Sequence, residues 1–254
     1  MTKVIAAIDN SLAARPVVLM ATALAEVLGA TVEPLHVSDD DGETARACAD
    51  SLGLELRRCS GDPLECIRAA AEADDVVAVA IGARQQPSGH HVGHLARQVA
   101  DVIDKPVLVV PPETVPPAHL HHVVIAMEGT PAKTRHLKAA VDVASSADLH
   151  LTVVHVDDES SIPSFSDQVA HETDAYAHEF LARYLHGAPR ARLELRIGAP
   201  ADEVIDVTDV AAPDLLAIGW PQSAGGDHGA TAREILDRSH VPVLLVAIDS
   251  AETS

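Results

Sequence analysis

Apolar positions along the chain follow two alternating rhythms. Short runs rich in Val, Ile and Ala, such as VIAAI from Val4, VAVAI ending at Ile81 and PVLVV ending at Val110, have the length and β-branched content of buried strands. Between them lie longer segments of helical period. Leu12, Val17 or Val18, Leu24 and Leu28 form one apolar stripe, and Leu95, Val99, Val102 and Ile103 form another. The strands read from the first part of the chain are 3–8, 31–37, 54–58, 76–81 and 106–110. Strands alternating with helices predict an α/β fold with a mostly parallel sheet.

The pattern occurs twice. At an offset of 119, Val4, Ala25, His36 and Val37 fall on Val123, Ala144, His155 and Val156. Further on, Gly61, Pro63 and Gly82 fall on Gly198, Pro200 and Gly219 at an offset of 137, and Pro106 falls on Pro242 at 136. The second copy therefore carries 18 more residues in its middle. PPETVPPAHL, with four prolines, continues neither a strand nor a helix and reads as a linker. The expected organisation is a domain over 1–112, a linker over 113–120 and a second domain over 121–249. With 254 residues and 47% apolar content, the chain can bury two cores.

Charge narrows the partners. The formal charge is −20, and Lys3, Lys105, Lys133 and Lys138 are the only lysines, which argues against nucleic acid or an anionic membrane surface. No stretch of roughly 18 apolar residues is free of charge, and the apolar run before Asp9 is too short for a secretory signal, so a cytoplasmic protein is expected. Cys48, Cys59 and Cys66 are odd in number and include no CxxC, so they are expected to be reduced thiols acting as small buried side chains.

Each copy resembles a universal stress protein domain. The resemblance rests on five pieces in order, twice: a first strand ending in an acidic residue and small neighbours (Ile8-Asp9-Asn10-Ser11; Met127-Glu128-Gly129-Thr130), a second strand ending LHV or VHV, a Gly-x-Pro helix start, a fourth strand ending Ile-Gly, and a closing Pro-Val-Leu strand. It implies two tandem open-sheet α/β domains, each a five-stranded, mostly parallel sheet with flanking helices, adenine-nucleotide alpha hydrolase-like or Rossmann-like. It also implies a pseudo-dimer within the chain, Val107–Val110 against Val243–Val246, which covers two apolar edges. A homodimer of whole chains stays open.

Some members of that family bind ATP in a loop patterned G-x2-G-x9-G-[ST], and others lack the pattern and bind none. Here the first copy has Gly82, Gln85 where a second glycine is expected, seven residues, Gly93, and His94 in the hydroxyl position. The second has Gly219, Gln222, six residues, Gly229 and Ala230. Both loops are short. The first carries Arg84, His90, His91 and His94 with no acidic residue, whereas the second has no Arg or Lys and holds Asp227, whose charge opposes phosphate. Asp9 matches the family's nucleotide-contacting aspartate, and Glu128 replaces it in the second copy. The resemblance thus assigns Asp9 to the adenosine end, Gly82 and Arg84 to ribose and phosphates, and Gly93 and His94 to phosphates through backbone N–H groups. The ligand would be ATP or another adenine nucleotide, held mainly by the first copy. The other reading is that turn geometry alone explains Gly82 and Gly93, that Asp9 caps the first helix, and that the chain is an interaction protein binding no nucleotide.

Nothing else in the sequence adds chemistry with comparable weight. HHVGH (His90, His91, His94) and HLHH (His119, His121, His122) read as loop histidines rather than metal ligands. His36 and His155 read as packing residues at strand ends. No Gly-x-Ser-x-Gly or His-Glu-x-x-His occurs, and no metal-holding carboxylate or general base stands beside the loop, so no enzyme is expected. Tyr176, Phe180 and Tyr184 recur every four residues, a helix stripe read as core packing. The expected function is a non-catalytic stress-response module acting through protein partners that the sequence does not name.

Overall fold

The structure is a computed structural model, and it describes residues 1–11, 13–37, 42–83, 93–127, 141, 143–144, 146–157, 191–221 and 227–248. Leu12, Arg84, His90, His91, Glu128 and the stripe of Tyr176, Phe180 and Tyr184 lie outside the described residues.

The first half runs β1 (Lys3–Ile8), α1 (Ala14–Val27), β2 (Thr31–Val37), α2 (Glu43–Ser51), β3 (Arg57–Cys59), α3 (Pro63–Ala71), β4 (Val76–Gly82), α4 (His94–Val102) and β5 (Val107–Val110). The second half has β6 (His122–Ala126), β7 (His150–Asp157), β8 (Ala191–Ile197), α5 (Pro200–Ala211), β9 (Leu215–Pro221), α6 (Asp227–Arg238) and β10 (Val243–Ile248). Ten strands make one sheet in the order β3-β2-β1-β4-β5-β10-β9-β6-β7-β8. Every pairing within a half is parallel, and the halves meet through the antiparallel pair of β5 and β10, with Leu108 opposite Leu244. The closing strands of the two copies therefore protect one another's edges.

Both faces of the inner strands β1, β4, β5 and β9 are buried, which is why these strands are continuous apolar runs, whereas the edge strands β3 and β8 are partly exposed and carry Arg or Glu. On β1, Val4, Ala6 and Ile8 point into one core with Val17, Met20 and Leu24 of α1. Ile5 and Ala7 point the other way, into a core with Ile67, Val99, Val204 and Ile235 from α3, α4, α5 and α6. On that second face the halves are also tied by side chains. Arg97 of α4 pairs with Asp237 of α6, and the indole of the buried Trp220 on β9 donates to Asp101 Oδ1 of α4 at 3.0 Å. The Arg233 guanidinium stands 5.7 Å from the Trp220 ring centroid, a cation–π arrangement.

Gly-x-Pro opens a helix in both halves for the same reason. Gly61 has φ 116° and Gly198 has φ 147°, backbone that only glycine adopts without strain, and the prolines that follow occupy the start of α3 and α5. Asp62 caps α3, accepting from Glu65 N at 3.0 Å. The strand-end histidines are packing residues in both halves: His36 Nδ1 donates to Ile8 O at 3.1 Å and His155 Nδ1 to Met127 O at 3.0 Å. Of HLHH, His119 pairs with Glu26, and His122 shares a hydrogen bond with Thr152 Oγ1 and stacks edge-on to His150. Among the described residues no three His, Cys, Asp or Glu side chains gather around a metal-sized space. None of the described helices is long and apolar enough to cross a membrane.

Three expectations are corrected. The third strand is 57–59 rather than 54–58. Leu54 and Leu56 pack against the core, but pairing with β2 begins at Leu35 opposite Arg57, just after Pro34, which has no N–H to give. Val102 is 45% exposed; α4 buries Ala96, Val99 and Ala100, with Ile103 following, a stripe in which small alanines let the helix approach the sheet. The cysteines are not all thiols: Cys59 and Cys66 are joined by a disulfide with Cα atoms 6.2 Å apart, while Cys48 is free. The turn at Gly61 folds the chain back so that residues seven apart come within bridging reach, a geometry that spacing alone did not reveal.

Candidate functional site

From β1 the chain winds outward to β2 and β3, then returns to β4 on the other side of β1. The connections leaving β1 and β4 diverge there, which opens a crevice at the strands' carboxyl ends, the place where doubly wound sheets bind ligands. The crevice is a cleft of about 670 Å³. Its lining includes Asp9 and Ser11 after β1, Gly82 and Ala83 at the end of β4, Gly93, His94, Leu95 and Ala96 at the start of α4, and Pro112. Ala7, Ile8, Ala14, Val17, Val37, Pro63, Ile67 and Ile81 supply apolar wall.

Four of the five residues singled out from the sequence thus meet in one cleft: Asp9, Gly82, Gly93 and His94. The fifth, Arg84, lies outside the described residues. Asp9 does not cap α1. Its Oδ1 accepts from Ser11 N at 3.0 Å and from Ser11 Oγ at 2.5 Å, and Ser11 Oγ accepts from Ala13 N, so the carboxylate organises the turn that leaves β1. Its neighbour Asn10 reaches the other way: Asn10 Oδ1 accepts from Thr44 N and Ala45 N, capping α2.

The glycines are informative. Gly82 is not in left-handed backbone, and a Cβ there would meet only Val17 Cγ2 at 3.5 Å, an ordinary contact. Gly93 has φ −59° and ψ 150°, open to any residue. Neither turn geometry nor, at Gly82, packing demands glycine. At Gly93 α4 begins without a side-chain cap, so its first N–H groups face the cleft end of the helix.

The matching place in the second half is built differently. A Cβ on Gly219 would meet the tip of the Ile248 side chain, which would have to turn aside, whereas Gly82 has open space beyond Val17. Trp220 stands where the first half has Ala83, and it is buried against α4 instead of edging an open cleft. Asp227, expected in a loop, begins α6.

Sequence reading missed the apolar wall from α3, Pro63 and Ile67, and the apolar side of α1. The signal was present in the Gly-x-Pro start and the Val17 stripe, but only the topology brings both to the ends of β1 and β4.

Fold and cleft place the chain among tandem doubly wound α/β proteins, with a crevice at the switch of strand order in the first half. The model of the universal stress protein family matches residues 119–247, half of the chain, and the chain belongs to that family. Among solved structures, a universal stress protein from Archaeoglobus fulgidus DSM 4304 is 17% identical with a TM-score of 0.70, over 96% of this chain and 98% of that one. A putative universal stress protein from Pseudomonas aeruginosa UCBPP-PA14 is 16% identical with a TM-score of 0.74, over 97% of this chain and 93% of that one. At such identities the likeness shows the fold. No curated protein matches the sequence.

Proposed function

We propose that this universal stress protein is a non-catalytic binding module that holds ATP or another adenine nucleotide in the cleft of its first half and acts through protein partners in the cytoplasm. Its working units are residues 1–112 and 121–249, joined by 113–120. Asp9 meets the adenosine end, Gly82 and Arg84 the ribose and phosphates, and Gly93 and His94 take the phosphates through backbone N–H groups at the start of α4. The observation that carries this reading is that Asp9, Gly82, Gly93 and His94 line one cleft in which glycine is required by neither φ nor, at Gly82, packing. The apolar wall of Val17, Val37 and Ile67 suits an adenine ring. The second half contributes through its fold and contacts, because the buried Trp220 occupies the place that Ala83 leaves open in the first half.

One observation favours the same fold without nucleotide: no Lys or Arg stands among the described lining residues. Protein purified without added nucleotide, then denatured, separates the two. Release of adenine-absorbing material in a mass consistent with a nucleotide supports binding, and its absence together with no heat on titration with ATP moves the chain to the interaction role.

A further inference from the structure

We propose that Cys59 and Cys66 form a reversible thiol–disulfide exchange site that sets the α3 wall of the cleft. The bond closes a ring from the end of β3 to the first turn of α3, and two of the residues it immobilises, Pro63 and Ile67, line the cleft. The second half has Arg196 and Glu203 at the matching positions, so the bridge belongs to the half whose cleft is open.

The two sulfurs are placed unequally. Cys66 is 8% exposed, whereas Cys59, at the strand end, is half-buried and is the sulfur an external thiolate reaches. Cys66 is the fourth residue of α3 and the more buried sulfur, so attack from solvent at Cys59 makes Cys66 the leaving group. A small-molecule thiolate attacks Cys59 Sγ, the Cys59–Cys66 bond breaks, and Cys66 leaves as thiolate and takes up a proton. A second thiol then attacks the mixed disulfide at its small-molecule sulfur. The sum converts the protein disulfide and two thiols into the protein dithiol and one small-molecule disulfide, and the reverse reaction uses that disulfide as oxidant. With the bond open, the start of α3 loses its covalent tie to β3 and keeps the Asp62 cap, the Gly61 turn and the packing of Leu64 and Ile67, so the Pro63 end of the wall gains freedom at the cleft.

The test uses the full chain and needs no nucleotide, so it stands apart from the binding question. The protein is equilibrated over a series of ratios of reduced to oxidised glutathione, quenched in acid, unfolded, alkylated and weighed. The expected result is one reversible transition in which Cys59 and Cys66 gain or lose alkylation together, Cys48 is alkylated throughout, and a Cys48→Ser variant behaves identically. Three free thiols at every ratio, a bond that never yields in folded protein, or a link made through Cys48 would overturn it. Hydrogen exchange in peptides spanning residues 60–71 is expected to be at least about tenfold faster in the reduced form. Equal exchange in the two forms would remove the coupling to the cleft wall.

Discussion

Trp220 of β9 donates its indole N–H to the carboxylate of Asp101 on α4, 3.0 Å away, and so ties the second half's strand end to the helix whose start lines the first half's cleft. The indole is almost fully buried, and its sequence counterpart in the first half is Ala83 at the cleft. One half has spent this position on joining the copies while the other keeps it open. Trp220→Phe keeps most of the packing and strands the partner carboxylate; the expected loss is about 1–3 kcal/mol of unfolding free energy. Urea denaturation followed by circular dichroism measures it, and an unchanged midpoint would mean that the bond contributes nothing to holding the halves together.

Gly42 is a second sensitive point. Its φ is 63°, and a Cβ would lie 2.7 Å from Cδ2 of the buried His36, which is itself fixed by donating to Ile8 O. Gly42→Ala should therefore cost roughly 1–3 kcal/mol, from backbone strain and a displaced ring together. Gly29, with φ 61° and open space around it, serves as the comparison: Gly29→Ala carries the strain without the collision and should cost less. Equal losses at the two positions would show that His36 yields freely.

Acid should weaken the second half through His122. Burial, then the neighbouring His150, pushes His122 below its ordinary value of 6.5, against the opposing pull of Asp214 and the Ala211 backbone. The unfolded chain then binds the proton more readily than the folded one. Stability from this group is present above about 6.5 and is lost as pH falls from there through the folded value. Urea midpoints measured across this range should fall less steeply for His122→Gln than for the parent, and parallel profiles would assign the acid sensitivity elsewhere.

How far the sequence reached follows from which residues had to meet. The inner strands of the first half were legible because β1, β4 and β5 are apolar on both faces, and the pairing of Val107–Val110 with Val243–Val246 followed from the family resemblance and agrees with their being apolar edges. Asp9, Gly82, Gly93 and His94 were named from the resemblance to the family's loop pattern and first-strand aspartate, and the topology brings the four to one cleft. Cys59 and Cys66 were misread because their meeting depends on the left-handed backbone of Gly61, which spacing does not encode. Asp101 and Trp220, 119 residues apart, come together only once the two copies share a sheet. Val102 matched the helical stripe, yet Ala96 and Ala100 define the buried face, since close approach to the sheet favours small side chains.

The account's central claim is a nucleotide at the start of α4, and calorimetric titration of ATP into the parent chain and into Gly93→Asp tests it most directly. Gly93 has ordinary N-cap backbone and aspartate is a favoured cap, so the variant should fold as the parent does while placing a carboxylate where phosphate would sit. The predicted result is one ATP bound per parent chain and an affinity at least about tenfold weaker in the variant, at unchanged thermal midpoint. Equal affinity in both would contradict the site, and no binding by the parent would contradict the nucleotide itself.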